Sequence, residues 1–294
     1  QGNVLIAPSG TFSVSDVAGN AQTSAGGADR SVTFDSIAPT LTLEQAAGQV
    51  DPTKTSPVTF TLSASESLDA ATVASADFTA TNGTVSSVTG SGASFTVTVT
   101  PSGQGAVTIA PSGTFSISDP AGNATTTAGG TDRSVTYDTA APTLTLAQAA
   151  GQTDPTNNSS IQFTLSANES LDGTTISAAD FTVTNGGTPT ITGSGSTWTV
   201  TTTASGQGAV TIALAGGFSV SDIAGNAATT AGGADRSVTF DSVAPTLTLQ
   251  QAGDQVDPAK SSAIKFTLSS SEALDSATIT ASDFTVTNGG TPTI

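Results

Sequence analysis

The sequence contains no cysteine, methionine or histidine, and only one tryptophan and one tyrosine occur among its 294 residues. Without cysteine and histidine, the chain cannot form disulfides, the usual nucleophile–base pairs of covalent catalysis or a typical zinc site. It also lacks an apolar run long enough to span a membrane. We therefore expect a non-enzymatic protein, with modules large enough to bury an adequate core unaided.

Positive charge is also scarce, since 23 acidic residues face 6 basic ones and the net charge is −17. Such a surface repels nucleic acid and anionic membranes, so neither is expected as a partner. The same surface attracts divalent cations. An alternative is that the acidic residues keep a threonine-rich chain soluble and prevent its strands from pairing edge to edge. The sequence leaves both interpretations open.

A long internal repeat organises the chain. The motif Ser-Asp-x-Ala-Gly-Asn starts at residues 15, 118 and 221, so that each copy begins 103 residues after the previous one. The same spacing relates Glu66, Glu169 and Glu272. A period of this length exceeds the ~20–50 residues of a solenoid unit. It matches a whole β-sandwich domain of about 100 residues.

The segment Ala-Pro-Thr at 38–40, 141–143 and 244–246 marks the predicted junctions, because proline ends strand pairing and fixes the backbone. The prediction is two complete modules, 37–139 and 140–242. Residues 1–36 would be the C-terminal part of an earlier module, and 243–294 the N-terminal part of a later one. We expect a section of a longer protein; the alternative is that a neighbouring chain completes the end modules by strand exchange.

Alternating β-branched and aromatic residues bounded by turn residues predict the strands of each module. In the first complete module they fall at 40–45, 58–64, 77–81, 84–89, 94–100, 106–110 and 134–137, with a short extra strand at 114–118. Asn82-Gly83 predicts a type I′ hairpin between the third and fourth strands. About seven strands per module predict an all-β fold of tandem Ig-like antiparallel β-sandwich modules.

The inward-facing positions of these strands give the expected core, with one more aromatic residue from the loop after the sixth strand. These residues are Phe60, Leu62, Phe78, Phe95, Val97, Val107, Ile109 and Phe115. Trp198 takes the position of Phe95 in the next module and is expected to be a core aromatic whose indole N–H needs a hydrogen-bond partner.

Acidic residues are predicted to gather at the module junctions. Alternate connections of an antiparallel sandwich lie at opposite ends, so the acidic loops of one module face the last strand of the module before it. Clustered oxygen ligands are what Ca²⁺ requires. The candidate metal ligands are Asp35, Glu66, Asp69, Asp77, Asp119, Asn123, Asp138, Glu169, Asp172, Asp180, Asp222, Asn226, Asp241 and Glu272. The alternative is that these Asp and Asn residues only shape turns.

Several motifs together resemble a known family. They are Ala-Pro-Thr-Leu-Thr-Leu at 38–43, Asp-Pro-Thr at 51–53, Phe-Thr-Leu-Ser-Ala-Ser-Glu at 60–66, Ser-Asp-Pro-Ala-Gly-Asn at 118–123 and Ser-Val-Thr-Tyr-Asp at 134–138. The combination resembles the bacterial Ig-like tandem repeats of giant cell-surface adhesins, including RTX-type adhesin repeats. The resemblance implies an extracellular location at a bacterial surface and a role in cell adhesion, biofilm or filaments. It also implies that calcium could bind between modules, as it does in some relatives.

The function predicted from these observations is a structural stalk, spacer or fibre, with calcium as the possible cofactor. Its partners would be neighbouring repeats of the same chain and other copies in a fibre, while other regions reach an unknown surface or glycan. Two alternatives stay open: a self-assembling filament subunit, and a repeat that binds a glycan or receptor. The second needs exposed aromatic residues, and the sequence offers only Trp198 and Tyr137, both within strand patterns.

Overall fold

The computed structural model describes residues 1–294, and all of its regular elements except short 3₁₀ turns are β-strands. The first segment contains β1 (Gly2–Leu5), β2 (Val14–Ser15), β3 (Ala21–Gln22) and β4 (Ser31–Phe34). The first complete module contains β5 (Leu41–Gln45), β6 (Val58–Ala64), β7 (Phe78–Thr81), β8 (Gly83–Ser91), β9 (Ser94–Pro101), β10 (Gly105–Pro111), β11 (Ile117–Ser118), β12 (Ala124–Thr125) and β13 (Ser134–Tyr137).

The rest of the chain repeats this order. The second complete module contains β14 (Leu144–Gln148), β15 (Ser160–Ala167), β16 (Phe181–Thr184), β17 (Thr190–Ser194), β18 (Thr197–Thr203), β19 (Gly208–Leu214), β20 (Val220–Ser221), β21 (Ala227–Ala228), β22 (Ala231–Gly232) and β23 (Ser237–Phe240). The last segment contains β24 (Leu247–Gln251) and β25 (Phe266–Ser270). The 3₁₀ helices are Ala70–Thr72, Ser75–Asp77, Gly173–Thr175, Ala178–Asp180, Ser276–Thr278 and Ala281–Asp283. None of these helices has the length or apolar character that crossing a membrane requires.

Each complete module is a sandwich of two sheets, as predicted. In the first, a four-stranded sheet has the order β5-β6-β9-β8 and a three-stranded sheet has the order β13-β10-β7. In the second, the corresponding sheets are β17-β18-β15-β14-β22 and β16-β19-β23. The strands pair antiparallel, except that the short edge strand β22 lies parallel to β14. The all-β, tandem Ig-like fold is therefore confirmed.

The alternation along β6 shows why the sequence forms this sandwich. Val58, Phe60 and Leu62 point inward and are fully buried, whereas Thr59 and Thr61 between them lie on the outer face. Successive side chains of a strand point to opposite faces, so a period of two covers one face with apolar groups. The β-branched threonines suit the outer face, where their side chains pack across the pleated surface.

Each module has its own core of 15 buried hydrophobic residues, drawn from both sheets. The eight residues predicted for the first core are all buried. Phe78 and Phe115 meet edge to face, with 5.8 Å between ring centroids, which is a favourable geometry for aromatic quadrupoles. Trp198 is half-buried and packs against the second core, and its indole N–H donates to the carbonyl of Gly195 at 3.1 Å.

The prediction of a hairpin at Asn82-Gly83 is wrong. The strands on either side, β7 and β8, lie in different sheets, so this connection crosses from one layer of the sandwich to the other. Asn82 does take the left-handed conformation that the motif signals, with φ of 54°. Its side-chain amide donates to the carbonyl of Gly103 at 2.9 Å, which holds the crossing in place. The motif identifies a sharp turn, but the pairing depends on which strands the core brings together.

The remaining strand predictions agree with the structure to within two residues at each end, apart from the short strand predicted at 114–118. That strand is reduced to Ile117–Ser118. The flanking segments form pairs of strands, β1 with β4 and β24 with β25. Val32 in β4 is 71% exposed, whereas Val135 at the same repeat position is fully buried inside a complete sandwich. The division of the chain at residues 37, 140 and 243 stays a prediction.

Candidate junction metal site

Two groups of three carboxylates lie where one repeat meets the next. Asp35, Glu66 and Asp119 form the first group, and Asp138, Glu169 and Asp222 form the second. Within each group, one carboxylate oxygen from each residue lies within 4.8 Å of the corresponding oxygens of the other two. In both, the first residue follows the last strand of one repeat and the other two belong to loops of the next. We call these groups the first and second junction triads.

The elements around the second triad hold its carboxylates in place. Asp138 directly follows β13, and its backbone N–H donates to the carbonyl of Thr53 at 2.9 Å. The Asp138 carboxylate then accepts the N–H of Ala140 at 2.9 Å, which turns the chain into the next module. Glu169 lies just beyond β15, and Asp222 just beyond β20. The three acids thus converge from a strand end and two loops.

The loop 222–226 is closed by its own first and last residues. The Asp222 carboxylate accepts the backbone N–H of Asn226 at 2.8 Å and the side-chain amide of the same residue at 2.9 Å. Gly225 has φ of +86°, a conformation that favours glycine. The Asn226 amide also donates to the main-chain carbonyl of Asp138 at 3.0 Å, which ties the loop to the preceding module.

The first triad repeats this arrangement. Asn123 donates its side-chain amide to Asp119 at 2.8 Å and to the carbonyl of Asp35 at 3.2 Å. The hydrogen bond from the Asn123 amide is the largest of the effects that lower the pKa of Asp119. Asp119 and Asp222 are buried, whereas the other members of both triads are half-buried.

In each triad the glutamate is the residue whose pKa is raised. Burial raises the pKa of Glu169, and the neighbouring charges of Asp138 and Asp222 raise that pKa further. The same causes, burial first and then Asp35 and Asp119, raise the pKa of Glu66. No basic side chain forms an ion pair with either triad, since the ion pair of the chain joins Lys265 to Asp254. At neutral pH each triad therefore concentrates negative charge, and none of its carboxylates is paired with a basic side chain.

The structure does not bring the other predicted acidic ligands into the triads. Asp69 and Asp172 cap 3₁₀ helices by accepting the backbone N–H groups of Ala71 and Thr174. Asp77 and Asp180 accept the backbone N–H groups of Ala74 and Ser177, both at 2.7 Å. These four residues shape turns, which was the alternative to a role as metal ligands.

The last two predicted ligands belong to the third junction. Asp241 accepts the backbone N–H of Val243 at 3.0 Å, as Asp138 does for Ala140. Glu272 takes the repeat position of Glu169, and the residue corresponding to Asp222 would come after Ile294. Asp241 and Glu272 therefore remain predicted ligands, with two of the three positions of a triad within the chain.

A basic residue that was not predicted to act at a junction, Lys54, lies at the second one. Lys54 donates from Nζ to the carbonyl of Gly225, 171 residues further along the chain. Only 6 residues of the chain are basic, so few cations are available to lie near its acidic loops. That scarcity was the indication in the sequence that the position of each basic residue matters.

The donor set of each triad fits a hard divalent cation. Ca²⁺ binds carboxylate oxygens at about 2.3–2.6 Å, so oxygens around one ion lie within about 5 Å of each other. The 4.8 Å spread of the triad oxygens is compatible with that limit. Three carboxylates offer up to six oxygens, and Ca²⁺ takes about 6–8 in flexible geometry. Burial is the largest cause of the raised pKa of each glutamate, and the neighbouring carboxylates, whose repulsion a cation would relieve, add to it.

Comparison with known protein families gives a match to one part of the chain. The family model described as a bacterial Ig-like domain matches residues 35–137. No curated protein matches the sequence.

Two solved structures resemble the chain. The crystal structure of invasin, a bacterial integrin-binding protein, aligns with 16% identity over 87% of this chain and 51% of that one, with a TM-score of 0.40. The Yersinia pseudotuberculosis adhesin InvE aligns with 17% identity over 68% of this chain and 58% of that one, with a TM-score of 0.25. The chain therefore spans about half the length of the invasin structure.

Proposed function

Because residues 35–137 belong to the bacterial Ig-like domain family, we propose that the chain is a spacer region of a bacterial cell-surface adhesin. Its modules act as structural units outside the cell, and their role is mechanical rather than enzymatic. The two complete modules have the same topology, and each has a hydrophobic core built from its own residues. A series of such units extends whatever lies at its end away from the surface.

We further propose that calcium makes this series rigid at the module junctions. The observation that carries the proposal is the composition of each triad, one carboxylate from the preceding repeat and two from the following one. An ion held by all three would replace repulsion across the junction by coordination. Calcium sites of extracellular modules have dissociation constants of about 10⁻⁴–10⁻³ M, and we propose an affinity of this order for the triads.

The glycan-binding alternative has less support. Trp198 is half-buried against the core and its indole N–H is already used by Gly195. Tyr137 also packs partly against its core. An aromatic platform for a sugar requires an exposed ring face, and neither residue provides an obvious one.

Thermal unfolding of the full chain with calcium or with a chelator tests the calcium proposal. A ligand that binds only the folded state stabilises it by RT ln(1 + [L]/Kd), so the melting temperature should rise as calcium is added. The double variant Glu66→Gln/Glu169→Gln is the matched control, and it should lose most of this rise. A melting temperature that does not change between chelator and millimolar calcium would reject the calcium proposal.

The spacer proposal needs a measurement of shape. Small-angle X-ray scattering of the full chain should show a larger and more narrowly defined maximum dimension with calcium than with chelator. If the chain shows the same compact scattering profile under both conditions, with modules folded back on each other, the proposed role as an extended spacer is wrong.

A further inference from the structure

The loop between β5 and β6 is fixed against the end of its own module. Thr53 in this loop is buried, and its backbone N–H donates to the carbonyl of Thr136 at 2.9 Å. The carbonyl of Thr53 in turn accepts the backbone N–H of Asp138 at 2.9 Å. Lys54 is the next residue, so its backbone is held beside the point where the chain leaves one module for the next.

From this position the Lys54 side chain crosses the junction. Its Nζ donates to the carbonyl of Gly225, in the loop 222–226 of the following module. A Cβ atom placed on Gly225 would lie 3.6 Å from both Cε and Nζ of Lys54, so the lysine side chain packs closely over this glycine. The same loop is held from a second direction, because Asn226 donates to the carbonyl of Asp138. The preceding module thus contacts this loop through a donor and an acceptor.

The other basic side chains described below make contacts within their own repeat or segment, which distinguishes Lys54 from them. Arg30, Arg133 and Arg236 share one task, since each donates to a carbonyl five residues earlier in its own repeat. Lys265 pairs with Asp254 in its own segment. Lys54, in contrast, contacts the next module at the second junction. The loop that it contacts begins with the buried Asp222.

The residue at this repeat position varies. Lys54 corresponds to Asn157 in the second complete module and to Lys260 in the last segment. An asparagine side chain is two bonds shorter than a lysine side chain and is uncharged, so it cannot reach across a junction in the same way. The other junction contacts, from Asp and Asn residues, recur at the period of the repeat.

We propose that Lys54 is a positioning residue that fixes the orientation of module 140–242 on module 37–139. The residue at this repeat position then sets the stiffness of each junction, with lysine giving a fixed angle and asparagine a looser one. This inference rests on the proposed spacer function, and it assigns to the spacer an alternation of stiff and flexible joints.

Distance measurements between two spin labels test the proposal in the full chain. Because the sequence has no cysteine, labels can be attached uniquely at Thr79→Cys and Thr182→Cys. These are exposed positions one period apart, on the equivalent strands β7 and β16. Pulsed electron–electron double resonance then gives the distribution of distances between the two labels, one on each module.

In this background Lys54→Asn should broaden the distribution, and Lys54→Arg should keep it narrow because it retains a cationic donor. Lys54→Met separates packing from charge, and it should broaden the distribution as Lys54→Asn does. Lys260→Asn, at the same repeat position in the last segment, is the control and should change nothing. An unchanged distribution in Lys54→Asn, with the wild-type distribution narrow, overturns the proposal.

The measurement also separates this inference from the calcium proposal. The wild-type distribution recorded with calcium and with chelator reports on the triads, whereas the comparison of Lys54 variants at one calcium concentration reports on the lysine. If calcium has no effect but Lys54→Asn broadens the distribution, the calcium proposal fails and the lysine contact stands. A wild-type distribution that is broad under both conditions overturns both.

Discussion

The side-chain amide of Asn226 donates a hydrogen bond to the main-chain carbonyl of Asp138, 88 residues earlier and 3.0 Å away. The same amide group donates to the buried carboxylate of Asp222. One asparagine therefore closes a loop within its own module and attaches that loop to the module before it. The first junction has the same relationship between Asn123 and Asp35.

Asn226→Ala should destabilise the second complete module. The substitution removes the side-chain donor from one oxygen of a buried carboxylate and from a junction carbonyl, and an unsatisfied buried polar group costs roughly 1–3 kcal/mol. Urea denaturation of the full chain measures the change in the free energy of unfolding. Asn20→Ala is the matched control, because Asn20 makes the same contact with Asp16 in an exposed loop. Equal losses in the two variants would contradict a special role for the junction contact.

The triads predict an unusual dependence of stability on pH in the absence of calcium. The pKa values of Glu66 and Glu169 in the folded chain are raised above the ordinary value of 4.5. A group with a raised pKa binds its proton more tightly in the folded state, so its contribution is fully present below the unfolded value and is lost as pH rises through the folded pKa. With chelator present, the melting temperature should rise as the solution is acidified from neutral pH towards 4.5.

Further acidification should reverse this trend. The pKa values of Asp119 and Asp172 are lowered from 3.8, so the stability from their hydrogen bonds is present above that value and is lost as pH falls through their folded pKa. The variant Glu66→Gln/Glu169→Gln should remove the rise between neutral pH and 4.5 and keep the loss at lower pH. A wild-type melting temperature that falls steadily from neutral pH to 4.5 would contradict this explanation.

Glu169→Gln should have opposite effects with and without calcium. In chelator the amide removes the repulsion from Asp138 and Asp222, so the melting temperature of the variant should exceed that of the wild type. With calcium it should be lower, because an amide is a weaker ligand than a carboxylate. Variant and wild-type melting curves that differ in the same direction under both conditions would disprove the assignment.

Gly173 and Trp198 form a pair that replaces Ala70 and Phe95 of the previous repeat. A Cβ atom on Gly173 would lie 2.6 Å from Cη2 of the tryptophan, so the larger ring needs the smaller partner. Gly173→Ala should cost roughly 1–3 kcal/mol, the range observed when a packed site is overfilled.

A double-mutant cycle checks the coupling of this pair. Trp198→Phe in the Gly173→Ala background should recover much of the lost stability, because it restores the pairing found in the first module. Urea denaturation gives the four free energies of unfolding that the cycle requires. Effects of the two substitutions that simply add would show that the residues do not interact.

Much of the fold follows from local pattern. The alternation at Val58, Phe60 and Leu62 places apolar side chains on one face, and this period of two is a property of the extended backbone itself. The strand boundaries and the core were therefore predictable one module at a time. The hairpin at Asn82-Gly83 was not, because the same left-handed asparagine can join two paired strands or connect two sheets.

The candidate metal site was also predictable from the sequence only in part. The period of 103 residues and the acidic loops indicated oxygen ligands at the junctions, and the triads contain six of the predicted residues. The sequence could not separate these from Asp69 or Asp77, because a short carboxylate either meets a distant partner or caps its own backbone, depending on the path of its loop.

By itself, the sequence determined the repeat, the sandwich and the accumulation of negative charge in loops, because composition and period act on neighbouring residues. Only the tertiary structure decided which carboxylates meet and that Lys54 reaches Gly225 across the junction. Those contacts join residues that are far apart in the chain, and a difference of a few ångströms in a loop changes the partner of a side chain. The physical reason is that hydrogen bonds and ion coordination act over about 3 Å, whereas sequence pattern fixes positions only along a strand.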